Sequence, residues 1–182
     1  LTEQRYADLL IASKGQDSPI HGRVAAIYTL KQLAGERCRN DLLSLLDDPG
    51  IGVNVMRALT DRLGELSGLK VDPFVKMLQH ENPRVQAQAL ISLGRIGDAA
   101  AAEAILKLTN RSEQYPLPEL TPLYKQADPG RVLPHLAVRA LVRCGAVEAC
   151  LQAIEGPYSD GALWALKYMH NAAAVHGLVK KL

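Results

Sequence analysis

Five histidines and three cysteines are the side chains of this chain best suited to metal binding or proton transfer. Their spacing argues against both. His21 and His135 fall at the starts of expected helices, His80 and His170 at helix ends, and His176 on the last helix. A turn is expected between His170 and His176, so no pair stands at the i, i+4 spacing that two ligands on one helix face require. All five read as surface or capping residues. A charged His170 would also be favoured by the partial negative charge at a helix C-terminus. Cys38, Cys144 and Cys150 form no C-x-x-C pair and read as small buried residues. A Cys144–Cys150 bridge across the Gly145-Ala146 turn stays open. No C-x-x-C-H is present, so no covalent c-type haem is expected. No serine lies in a G-x-S-x-G elbow, and Ser92 falls on an apolar stripe. Gly94 and Gly97 read as turn residues rather than a phosphate loop, and Asp47 and Asp48 as solvated turn carboxylates. No catalytic, cofactor or metal site is expected, and the chain does not read as an enzyme.

Composition narrows the rest. Of 182 residues, 48% are hydrophobic but only 4% aromatic, with one Phe and one Trp, so the core must be Leu, Ala, Val and Ile. Lys and Arg number 21 against 19 acidic residues, a net of +2, which disfavours a nucleic-acid binder that works by neutralising phosphates. No apolar run approaches the roughly 18 residues of a membrane span. A chain beginning at Leu without a signal peptide reads as a fragment or a processed product, and its compartment is left open.

The elements that must position these side chains are helices. Val85 to Leu108 sets the pattern: Val85, Ala89, Ser92, Leu93 and Ile96 recur at helical spacing, and Gly97 stops the run. Asp98 then caps a second run carrying Ala102, Ile105, Leu106 and Leu108. Such a pair has one apolar face too many and expects copies on both sides. The copies share a small-x-x-small-Leu signature, ending at Leu30, Leu59, Leu93, Leu141 and Leu166, at intervals of 29, 34, 48 and 25 residues.

Laid out in order, residues 1–15 form a half repeat in which Leu1, Tyr6, Leu9, Leu10 and Ala12 share helical spacing. Repeats span 18–47, 50–80, 83–109, 130–155 and 158–182, and an insertion fills 110–133. Ser18-Pro19 is expected to open the first helix of its repeat, with Ala26, Leu30 and Leu33 inward. Its second helix carries Leu42, Leu43, Leu45 and Leu46. Asp48-Pro49-Gly50 is a turn before a helix facing inward through Val55, Leu59 and Leu63. Asp72-Pro73 opens the helix of Phe74, Val75, Met77 and Leu78. The insertion holds Pro116, Pro118, Pro122, Pro129, Tyr115 and Tyr124. Asp128-Pro129-Gly130 repeats the earlier turn, and the next helix is expected over Pro134 to Arg143. The fold class that follows is all-α: a right-handed α-solenoid of about five helix pairs in one array.

Val85 to Asp98, VQAQALISLGRIGD, followed by the Ala-rich run to Leu108, resembles a HEAT repeat, especially the short bacterial kind also found in phycobilisome-lyase-like proteins. More narrowly, Pro134 to Leu182, with HLAVRALV and DGALWALKYMH, is similar to HEAT segments of large secreted bacterial proteins. Those segments join a sorbosone-dehydrogenase-like propeller to a cytochrome c domain. The first resemblance implies a binding scaffold whose second helices line a concave surface. The second implies a spacer in a larger haem- or quinoprotein-type redox protein, periplasmic or secreted.

The expected function is therefore a non-catalytic scaffold whose partner is a protein or a neighbouring domain of the same polypeptide. The alternatives are the redox-protein spacer and, less favoured, a HEAT-like nucleic-acid binder. If second helices form the binding face, its residues include Lys76, Gln79, Lys107, Glu148, Gln152, His176 and Lys180, whose mixed signs make no phosphate-reading stripe. Tyr115 and Tyr124 join them if the Pro/Tyr insertion is a binding loop rather than a surface excursion. Trp164 and Tyr168, beside Tyr158, read as core or as a cap over the end of the stack before they read as a binding platform.

Overall fold

The computed structural model describes residues 1–110, 115 and 128–181, which hold helices and turns and no strand. They group into two compact units, Leu1–Pro73 and Phe74–Leu182.

In the first unit, α1 (Glu3–Lys14) starts at Thr2, whose hydroxyl accepts from the Arg5 N–H, and stops at Gly15. It packs on α2 (Ile20–Ala34), which also packs on α4 (Gly52–Thr60). Between these lie a 3₁₀ turn, Gly35–Cys38, and the short α3 (Arg39–Leu43). The core is aliphatic: Ile27, Leu30, Leu42, Ile51, Val55 and Leu59 are fully or almost fully buried. Two cations share this interior. Arg23 reaches Asp48 at 2.5 Å and donates to the Ser13 carbonyl at 3.0 Å, and Lys31 reaches Glu65 at 2.5 Å.

That pairing corrects two expectations. Asp48 is not a solvated turn residue, because its side chain keeps only 14% exposure beside Arg23. Leu33 does not point inward and is 56% exposed. With Arg23 and Lys31 neutralised, the buried arc of α2 runs through 23, 26, 27, 30 and 31, and Leu33 lies at its edge. Leu63 is also outside, 64% exposed, because α4 ends at Thr60 and Arg62 turns extended. Leu1 and Ala12 are exposed, and Pro19 rather than Ser18 occupies the N-cap of α2 without a side-chain bond.

In the second unit, α6 (Pro83–Ile96), α8 (Pro129–Arg143) and α10 (Ser159–Met169) pack in succession. The shorter α7 (Ala102–Leu106), α9 (Val147–Ala153) and α11 (Ala172–Val179) pack in a second row. The helix α5 (Asp72–Met77) crosses the division and buries Phe74 and Met77. Small residues let the first row close up. A Cβ on Gly94 would stand 3.1 Å from the Ala140 Cα of α8, and one on Gly161 of α10 would stand 2.2 Å from the Cβ of Thr109, just after α7. Across the five copies of the signature, Thr29 alone is exposed.

Side-chain oxygens start the elements in a repeated way. Asp48, Asn82, Asp98, Asp128 and Asn171 each accept, through Oδ1, from the backbone N–H two residues on, at 2.8–2.9 Å. For Asp128 this corrects the expected boundary. The helix starts at Pro129 and runs through Pro134, which supplies no N–H to the Gly130 carbonyl. The three cysteines are free, buried thiols. Cys144 Sγ lies 3.6 Å from the Leu93 carbonyl, and burial pushes Cys144 and Cys150 up to about 11.

Candidate functional site

The residues expected on second helices are exposed. Lys76 lies on α5 and Gln79 just beyond it; Glu148 and Gln152 lie on α9, and His176 lies on α11, with Lys180 at its C-cap. Lys107 closes α7 and pairs with Glu103 at 3.7 Å. Because α7 packs on α9 and α9 on α11, Lys107, Gln152 and His176 stand on successive members of one row. Tyr115 is half-buried, with its hydroxyl 3.4 Å from Gln86 Oε1. Tyr124 lies outside the described residues.

Two grooves of the second unit, among the described residues, lie in the other row. One groove, about 630 Å³, runs between α8 and α10, bounded by Arg131, His135, Asp160 and Trp164 with Thr109 and Gly161 beneath. A second, about 540 Å³, shares His135, Val138 and Trp164 with it and adds Arg139, Arg143 and Tyr168.

Helical spacing builds its two walls. On α8, Leu133, Ala137, Ala140 and Leu141 take the buried side. The outward row is then Arg131, His135, Arg139 and Arg143, each one turn from the next and all exposed. On α10, Ala162, Ala165 and Leu166 fill the interior, which turns Trp164 and Tyr168 out, 60% and 51% exposed. The core reading of these aromatics is thereby overturned, since small residues already occupy the close contacts of α10. Lys167 Nζ stands 5.7 Å from the Tyr168 ring centroid.

Among the described residues, no carboxylate comes within ion-pair distance of Arg131, Arg139 or Arg143. In residues 1–73, by contrast, Arg23, Lys31, Arg37, Arg39, Arg57 and Arg62 all have carboxylate partners. Lys31 and Arg62 together hold the Glu65 carboxyl below its ordinary range. The α8 row is visible in the letters as Arg131, His135, Arg139 and Arg143 at i, i+4, whereas the family resemblance points to second helices.

Residues 54–117 match the family model for HEAT repeats. The match supports a HEAT-repeat protein and runs from within α4 past α7. The crystal structure of an engineered protein, a Northeast Structural Genomics Consortium target, superposes with a TM-score of 0.55 at 15% identity, covering 98% of this chain and 85% of that one. At that identity the likeness shows the fold, an all-helical one. No curated protein matches the chain. Among the described residues, no helix is long and apolar enough to cross a membrane.

Proposed function

We propose that this chain is a non-catalytic interaction module that holds paired HEAT-type helices rigid and presents their surface to a protein partner. The α8–α10 grooves carry the reading: they are walled by regular helices whose other sides are locked in the core. Surface fixed in this way loses little further freedom on binding. The test is isolation of the protein from its native cells after mild cross-linking. A discrete, stoichiometric complex supports the module; a chain that never leaves its 19.8 kDa mass sinks it.

A second reading is favoured by the first and last helices. Ile11 on α1 and Val175 and Val179 on α11 are 60–68% exposed, as expected of faces that neighbouring domains of one polypeptide would cover. Intact mass measurement of the native protein, with an absorbance scan for haem, checks this spacer role. A longer chain favours it, and a haem band would identify the redox-protein version.

A further inference from the structure

The α8 row is costly to keep. Arg139 and Arg143 stand at i, i+4, a spacing at which like charges disfavour the helix, Arg131 continues their row two turns back from Arg139, and no described carboxylate relieves the three arginines. Facing them across an aliphatic floor of Val138 and Val142 stand two exposed aromatics, Trp164 and Tyr168. Cations on one wall and rings on the other ask for a ligand that is acidic along one edge and apolar along the other.

We propose that the α8–α10 groove binds an acidic peptide segment of a partner protein. Its carboxylates pair with Arg139 and Arg143, and an apolar side chain sits between Val142 and Trp164. The proposal rests on the interaction-module reading and names the partner's chemistry. The row from Arg131 to Arg143 is about 18 Å long at the helical rise, the length of about five to six extended residues. Planar guanidinium forks one turn apart suit carboxylates, which they bind in a bidentate manner.

A single-stranded nucleic acid is the competing ligand, since bases also stack on aromatic rings. The groove fits it less well. Its cations form one short row, and its floor is the aliphatic pair Val138 and Val142. The chain's net charge of +2 adds little long-range attraction for a polyanion.

Trp164 is the only tryptophan in the chain, so its emission reports on the groove directly. The experiment titrates the full chain with a Glu/Leu peptide free of Trp and Tyr, with its Gln/Leu counterpart, and with oligothymidylate. The Glu/Leu peptide is expected to shift Trp164 emission saturably, and the Gln/Leu peptide is not. The variant carrying Arg139→Glu and Arg143→Glu should bind at least about tenfold more weakly, the loss expected of two charge-assisted contacts. Circular dichroism should show its helicity retained, because both side chains are exposed. No emission change up to millimolar peptide, or equal binding by the variant, overturns the proposal; tighter binding of oligothymidylate overturns it in favour of nucleic acid. Should the native complex form unchanged with the variant, the groove assignment falls and the module reading stands.

Discussion

Arg23 on α2 and Asp48 in the turn before α4 meet at 2.5 Å, with side chains only 6% and 14% exposed. The pair ties two helices of the first unit through a bond that neither could satisfy alone, and Arg23 uses its Nε on the Ser13 carbonyl as well. Asp48→Ala is expected to destabilise the chain by about 3 kcal/mol, since it strands a buried cation. Glu3→Ala, which breaks a solvent-exposed pair with Arg37, should leave stability almost unchanged. Urea titration of the two variants provides the comparison.

Acid should reveal the same pair. The Arg23 guanidinium, helped by the Gly50 and Ile51 N–H groups, holds the Asp48 carboxyl below its ordinary range. A carboxylate whose folded pKa is depressed stabilises fully above its unfolded value, about 4, and that stabilisation fades as pH falls through the lower folded value. The stability gap between the native chain and Asp48→Asn should therefore be constant at neutral pH and close below about pH 4. A gap that persists unchanged in strong acid would refute the linkage.

Gly161 is fixed by what faces it. With a Cβ 2.2 Å from the Thr109 Cβ, Gly161→Ala is expected to lower stability by about 1–3 kcal/mol. Pairing it with Thr109→Gly should recover part of that loss, whereas Gly145→Ala, strained by its positive φ but free of neighbours, should gain nothing from the Thr109 change. Thermal melts of the single and double variants decide this.

Thiol chemistry offers an independent check on the core. Cys144 and Cys150, pushed up to about 11 by burial, and Cys38, raised by burial, should not react with a disulfide reagent at neutral pH while the chain is folded. Three equivalents should react once it is denatured. Fast labelling of the native protein would mean that α8 or α9 opens readily.

Much of this fold could be read from letters. The small-x-x-small-Leu signature located every first helix, because close approach between helices admits few alternatives to Ala, Ser and Gly. Hydropathy points Leu33 inward, while the positions that bury α2 include Arg23 and Lys31, whose partners lie 25 and 34 residues away. It points Leu63 inward as well, but α4 stops at Thr60. Trp164 and Tyr168 read as core or as a cap from their i, i+4 stripe, but Gly161, Ala162, Ala165 and Leu166 already fill the interior of α10. Pairing and crowding depend on three-dimensional neighbours, and no local pattern encodes them. Of the groove, the letters show two i, i+4 rows, one basic and one aromatic, but not that they face the same cleft.

Four helical elements and the turn before α4 begin with an Asx side chain closing on the backbone two residues ahead. Each such closure needs only neighbouring residues, so these elements carry their own starting points, whereas α2, α9 and α10 begin without a side-chain cap. Contacts made close along the chain are formed quickly and broken individually. Folding can then begin at several places at once, by parallel routes whose order is set by conditions rather than by the sequence of elements. A protein assembled in this manner frays one pair at a time, and a damaging substitution stays a local event.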